Sequence, residues 1–107
     1  MTLIGQKYGG TAVGSPDRVR DVARRVAARS RQGERIVVVT SAMGDTTDAL
    51  LALAASVAPG AATRRRRELD LILATGEQTA AALLALALEE LGVPAVSLTG
   101  AQAEIRT

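Results

Sequence analysis

The spacing of apolar positions changes several times along the 107 residues, and each change marks a different element. Leu3 to Tyr8 is a short, mostly apolar run that predicts a first strand, with Gly5 expected to mark a bulge or a close backbone approach. Val19, Val22, Ala23, Val26 and Ala27 then recur at helical spacing. Ser15 stands where an N-cap belongs, Pro16 at the first helical position and Asp17 in the first turn, and Gly33 ends the helix. Residues 36–40 form an unbroken β-branched run, which predicts a strand buried on both faces, as in parallel sheets.

Asp45 is placed to cap a second helix whose inner stripe is Leu50, Leu53, Ala54 and Val57, closed by Pro59-Gly60. Residues 65–73 predict a third helix, broken at Thr75-Gly76. A longer helix over 77–91 follows, with Ala81, Leu84, Leu88 and Leu91 on one side, stopped by Gly92 and Pro94. Residues 95–98 predict a third strand, with a turn at Thr99-Gly100. Strands alternating with helices imply right-handed crossovers and a mainly parallel sheet in an α/β fold. In such sheets ligands gather at the carboxyl ends of strands. Those ends are residues 7–14, 41–47 and 99–102, all rich in Gly, Ser, Thr and other small groups.

Composition narrows the chemistry. A chain of 107 residues is at most one small domain, expected to bury roughly two-thirds of its unfolded surface. Tyr8 is its sole aromatic, so the core is built from Leu, Val, Ile and Ala. There is no cysteine and no histidine, which removes disulfides, thiolate catalysis, the usual zinc sites and every histidine general base. A formal charge of +2, with 11 acids against 13 bases, gives no field for nucleic acid, and base-stacking aromatics are missing. The run Arg64-Arg65-Arg66-Arg67 is read as a solvated helix face, Arg64 and Arg66 pairing with Glu68 and Asp70 at four-residue spacing, or as a subunit contact. The start lacks a secretory pattern and the apolar run 80–88 is too short to span a bilayer, so a cytoplasmic location without membrane or nucleic-acid partners is expected.

Lys7 is the only lysine, and the other twelve basic residues are arginine. A coding bias toward arginine would erase a replaceable lysine, so this position is expected to need a compact ammonium, a point charge suited to phosphate. Gly9 and Gly10 follow, where backbone N–H groups can approach an anion unobstructed. Lys7, Tyr8, Gly9 and Gly10 are therefore a candidate phosphate grip, though a strand ending in a plain turn with a solvated lysine reads equally well. Neither common nucleotide fingerprint is present: there is no G-x-G-x-x-G, and Lys7 precedes its glycines where a Walker A lysine follows them.

Four segments in order, Gln6-Lys7-Tyr8-Gly9-Gly10-Thr11-Ala12-Val13-Gly14, Val39-Thr40-Ser41-Ala42-Met43-Gly44-Asp45-Thr46-Thr47-Asp48, Leu73-Ala74-Thr75-Gly76-Glu77-Gln78 and Ser97-Leu98-Thr99-Gly100-Ala101-Gln102, resemble the amino-terminal part of aspartokinases, within the amino acid kinase superfamily. The resemblance covers essentially the whole chain and makes residues 1–107 the amino-terminal, substrate-binding portion of such a domain. It implies a three-layer α/β/α, carbamate kinase-like fold. It also implies ATP-dependent phosphorylation of the aspartate side-chain carboxylate, with Mg2+ accompanying the nucleotide, on the route to lysine, threonine and methionine.

By the same resemblance Lys7 is catalytic, and Lys7, Tyr8, Gly9 and Gly10 hold the ATP phosphates. Thr47 and Glu77 bind L-aspartate, with Ser41 and Gly44 shaping the pocket. No residue is assigned as a metal ligand. Complete aspartokinases continue into a second kinase half and ACT domains and assemble as homo-oligomers, so this segment alone is expected to lack activity. Structural accounts stand beside these roles. Thr75 and Gln78 fit a capping box, Glu77 and Thr47 are ordinary first-turn residues, and Met43 fills a core gap. Ala12 stands where the family often has serine, Gly5 where it has a branched apolar residue, and the arginine run is heavier than usual. Two rivals remain: a superfamily kinase with another acceptor, and a non-catalytic α/β interaction module.

Overall fold

A computed structural model describes residues 3–60 and 66–99. Strand β1 (Leu3–Tyr8), helix α1 (Pro16–Ser30), strand β2 (Arg35–Thr40), helix α2 (Thr46–Val57) and helix α3 (Arg66–Glu90) follow one another. The strands pair in parallel from Leu3↔Arg35 to Tyr8↔Thr40 without interruption, as a crossover through α1 requires. Gly5 sits opposite Val37 in this regular ladder, and a Cβ added to it would meet nothing within 4 Å. The expected bulge or close approach is therefore not formed, and Gly5 only weakens its strand.

α1 starts as the sequence predicts. The Ser15 hydroxyl accepts the Arg18 N–H at 3.3 Å, Pro16 opens the helix, and the buried face is Val19, Val22, Ala23, Val26 and Ala27. That face packs with Val13, Leu84 and Leu88 to form the core. α3 ends in a Schellman arrangement, in which the Val93 N–H reaches the Leu88 carbonyl at 3.0 Å and the Gly92 N–H the Glu89 carbonyl at 2.9 Å. Gly92 has φ +79, the left-handed conformation that this closure needs. Arg31 ties the two helix ends together by donating from Nη2 to the Leu91 carbonyl at 2.7 Å.

Further expectations are corrected. The break at Thr75-Gly76 does not occur, because α3 runs continuously from Arg66 to Glu90. Gly76 is instead a contact point, since a Cβ there would lie 3.1 Å from Ala42 Cβ, 3.2 Å from Thr46 Cγ2 and 3.3 Å from Leu50 Cδ1. Thr75 bonds back to the Ile72 carbonyl at 2.6 Å and so forms no capping box with Gln78. Joined in this way, α3 is by length and hydropathy alone sufficient to cross a bilayer, whereas residues 80–88 alone are not. It buries Leu69, Ala80, Leu84 and Leu88 and packs against α1 and α2, while Leu71 and Leu86 stay exposed.

β2 is covered on one face only. Burial alternates along both strands, leaving Val37 and Val39 about half exposed, because α1 and α3 share the same side of the sheet. The described residues thus form two layers of the expected three. α2 buries no residue, and Leu53 and Val57 of its expected stripe are exposed while Leu50 and Ala54 are half-buried. Finally, residues 93–99 carry no strand, since no neighbouring strand among the described residues offers them a ladder. Val93 and Ala95 still pack against the core. Glu68 pairs with Arg67 at 2.6 Å. The expected pairings of Arg64 and Arg66, the turn at Thr99-Gly100 and the rest of the strand end at 100–102 lie outside what is described.

Candidate functional site at the carboxyl ends of the strands

Because the strands are parallel and in register, both chains leave the sheet at the same edge. The ladder continues past it, with the Ser41 N–H bonding the Tyr8 carbonyl at 3.0 Å and the Gly44 N–H the Gly10 carbonyl at 3.3 Å. The turn after β1 closes on itself through Val13 N–H to Gly9 carbonyl and Gly14 N–H to Thr11 carbonyl, both 3.2 Å, with fully buried Val13 as its anchor. Gly10 is needed for approach, since a Cβ there would lie 3.1 Å from the Ala42 carbonyl oxygen. Gly44, at φ +34, is needed twice, for its conformation and because a Cβ would lie 3.0 Å from the Gly14 carbonyl oxygen. Gly9 has no such neighbour.

Around this knot an open depression of about 530 Å³ is lined by Gly10, Thr11, Gly14, Ser15, Arg18, Gly44 and Asp45. Of the eight residues expected at the site, Gly10 and Gly44 line it. Strand alternation sends Lys7 to the open face of the sheet, exposed and in no ion pair with any described residue, while Tyr8 turns to the covered face and donates its hydroxyl to Gln6 Oε1 at 3.1 Å. Ser41 begins the second loop. Thr47 and Glu77 are both exposed, and they come near one another through their neighbours, because Gly76 abuts Thr46. Among the described residues no three carboxylates are arranged to hold a metal ion.

Thr11, Gly14 and Asp45 fall within the strand ends 7–14 and 41–47 but had no assigned part in the site, and Ser15 and Arg18 lie outside those ends. Asp45 was assigned to capping, but its side chain makes no cap bond; the Thr46 N–H is taken by the Met43 carbonyl at 2.8 Å. Arg18 carried no signal of its own, because arginines at helical spacing along α1 ordinarily find acids on the same helix.

The family model for the amino acid kinase family matches residues 4–107. This chain belongs to the amino acid kinase family. All 107 residues align at 50% identity with the aspartokinase of Corynebacterium glutamicum, of which they span 25%, and at 49% with aspartokinase 2 of Bacillus subtilis, of which they span 26%. A crystal structure of aspartate kinase from Synechocystis superimposes with a TM-score of 0.83 at 48% identity, over 91% of this chain and 16% of that one. The amino acid kinase chain therefore spans about a quarter of the length of the curated relatives it matches. The depression is bordered by the glycine backbone and carries one cation, Arg18, and one carboxylate, Asp45, in its lining.

Proposed function

We propose that this chain forms the amino-terminal part of an aspartate kinase, which transfers the γ-phosphoryl group of ATP to the side-chain carboxylate of L-aspartate and yields 4-phospho-L-aspartate. The observation that carries the reading is half-identity to aspartokinases over every residue, including the loops joined at Tyr8–Ser41 and Gly10–Gly44.

The chemistry suits a chain without histidine. A carboxylate oxygen of aspartate attacks the γ-phosphorus while the bond to the β,γ-bridging oxygen breaks, and ADP leaves. The acceptor, with an ordinary pKa of about 3.9, is already ionised at neutral pH, so no base is required. Positioning and charge neutralisation then dominate the rate. Lys7 neutralises the transferring phosphoryl, and Tyr8, Gly9 and Gly10 border the nucleotide phosphates. Thr47 hydrogen-bonds the substrate, Glu77 pairs with its ammonium, and Ser41 and Gly44 shape the pocket. Mg2+ screens the phosphate charge and travels with the nucleotide. The remaining contacts come from a second kinase half, with ACT domains and homo-oligomer assembly beyond it, in the cytoplasm where ATP and aspartate are supplied.

The test uses the longest polypeptide that contains these residues, with hydroxylamine trapping the acyl phosphate as aspartyl hydroxamate. Product dependent on both ATP and aspartate is expected. Lys7→Ala is expected to lower kcat by about a hundredfold or more, as for loss of other charge-stabilising donors. Turnover within a factor of a few of the parent would remove Lys7 from the mechanism. Glutamate or another acceptor outcompeting aspartate would reassign the substrate.

A further inference from the structure

Three of the five arginines of α1 pair with nearby acids, and Arg18 is held in another way. Arg20 pairs with Asp17 and Arg24 with Asp21, each one turn away, and Arg29 pairs with Glu34 at 2.7 Å. Arg18 takes part in no ion pair among the described residues. Its Nη1 reaches back seven residues and donates to the Thr11 carbonyl at 3.0 Å, while its own backbone N–H is held by the Ser15 cap.

We propose that Arg18 is a positioning residue for the glycine turn that faces the nucleotide phosphates, acting through the Thr11 carbonyl; this rests on the reading given under Proposed function. The turn holds itself weakly, because its two internal bonds, at 3.2 Å, are at the long end of the range. Arg18 anchors it from outside, on a helix fixed by five buried side chains. The neighbour of Thr11 is Gly10, whose carbonyl carries the Gly44 N–H, so displacement of Thr11 is passed to the second loop as well. A guanidinium suits the task, since one donor is spent on the carbonyl while the planar group still lines the depression. Arg18 thereby organises both strand ends without itself touching a reacting atom.

The test compares Arg18→Met, which keeps the apolar stem without the donor, with Arg18→Lys, which restores a donor, in the longest polypeptide containing the chain. In the absence of ligand, amide exchange at Val13 and Gly44 is expected to speed up about tenfold in R18M and to return toward the parent rate in R18K. With ATP, R18M is expected to raise KM for nucleotide about tenfold, with kcat changed less than threefold and KM for aspartate unchanged. Should R18M be insoluble, R18Q, whose amide stops short of Thr11, carries the same expectation. Unchanged exchange in R18M alongside a raised KM would mean that Arg18 contacts the nucleotide directly, and would overturn the positioning role. Unchanged exchange and unchanged KM would overturn it outright. A parent polypeptide that exchanges as expected but neither binds nor cleaves ATP would defeat the functional reading, and with it any role of the tether in nucleotide binding, while leaving the tether itself established.

Discussion

α1 and α2 begin alike, each following a strand of the same sheet after a glycine-containing loop, yet they differ in how far their sequences determine their surroundings. On α1 charged residues fill the outer face, so the apolar stripe has one possible orientation, and all five of its predicted members are buried. α2 has no charged residue after Asp48, and nothing along it distinguishes an inner from an outer side. Its half-buried members, Leu50 and Ala54, lie toward α3, while Leu53 and Val57 remain 62% and 81% exposed. Amphipathic contrast, more than apolar content, makes a helix orientation readable.

The largest effect expected from this contrast comes from one substitution made in both regions. Leu84→Ala empties a site 4% exposed between α3 and α1, and is expected to cost about 2–5 kcal/mol in chemical denaturation. Leu53→Ala removes the same atoms from a solvated position and is expected to change stability by less than about 0.5 kcal/mol. A large loss at Leu53 would mean that α2 is covered by another surface in solution.

Glycines give the next comparison. Gly76→Val drives a branched side chain into Ala42, Thr46 and Leu50, and a loss of about 1–3 kcal/mol is expected for such overpacking. Gly5→Ala, in open space on a regular strand, is expected to gain about 0.5–1 kcal/mol. If Gly76→Val is neutral, α2 is free to slide along α3, and Thr47 and Glu77 are not held at a fixed separation.

These glycines also show where sequence reading runs out. Gly76 in Thr75-Gly76-Glu77 looks like a helix breaker by propensity, because a glycine costs about 1 kcal/mol in a helix. Its reason for being there is a contact with residues some thirty positions earlier, which no local pattern encodes. The parallel pairing, the N-cap of α1 and the glycine closure of α3 were legible because each is a local signal with a local cause. The family motifs singled out Gly10 for the phosphates and Gly44 for the shape of the pocket, and both line the depression. The Arg18 to Thr11 bond, the cap left unmade by Asp45 and the open sheet face depend on tertiary placement. The segment 93–99 shows the same dependence, since a strand forms only beside a partner strand.

A gain of similar size is expected at Thr40. It is 8% exposed and its Oγ1 has no partner among the described residues, whereas most buried hydroxyls in folded proteins are bonded. Thr40→Val keeps the branched shape and removes the unpaired oxygen, and is expected to stabilise the chain by about 1 kcal/mol. A loss on substitution would reveal a water or backbone partner that Oγ1 uses in solution.

The smallest effect concerns the turn between α1 and β2, and it tests whether surface pairs matter where the core is well ordered. Glu34 receives two bonds from Arg29, from Nε at 2.7 Å and from Nη2 at 3.2 Å. The side-chain hydrogen bond from Arg29, reinforced by its charge, holds the Glu34 carboxyl below the usual glutamate range against a smaller opposing effect of burial. A carboxyl whose folded pKa is depressed adds stability above its unfolded value, and that increment is lost as pH falls through the folded value. The stability difference between the parent and Glu34→Gln should therefore be constant from neutral pH down to the ordinary carboxylate range and shrink below it. Carboxyl NMR titration gives the direct measurement, with a Glu34 midpoint below the ordinary glutamate value expected. An ordinary glutamate midpoint at Glu34 would mean that the Arg29 pair is too open to solvent to discriminate between charge states, the common fate of exposed ion pairs.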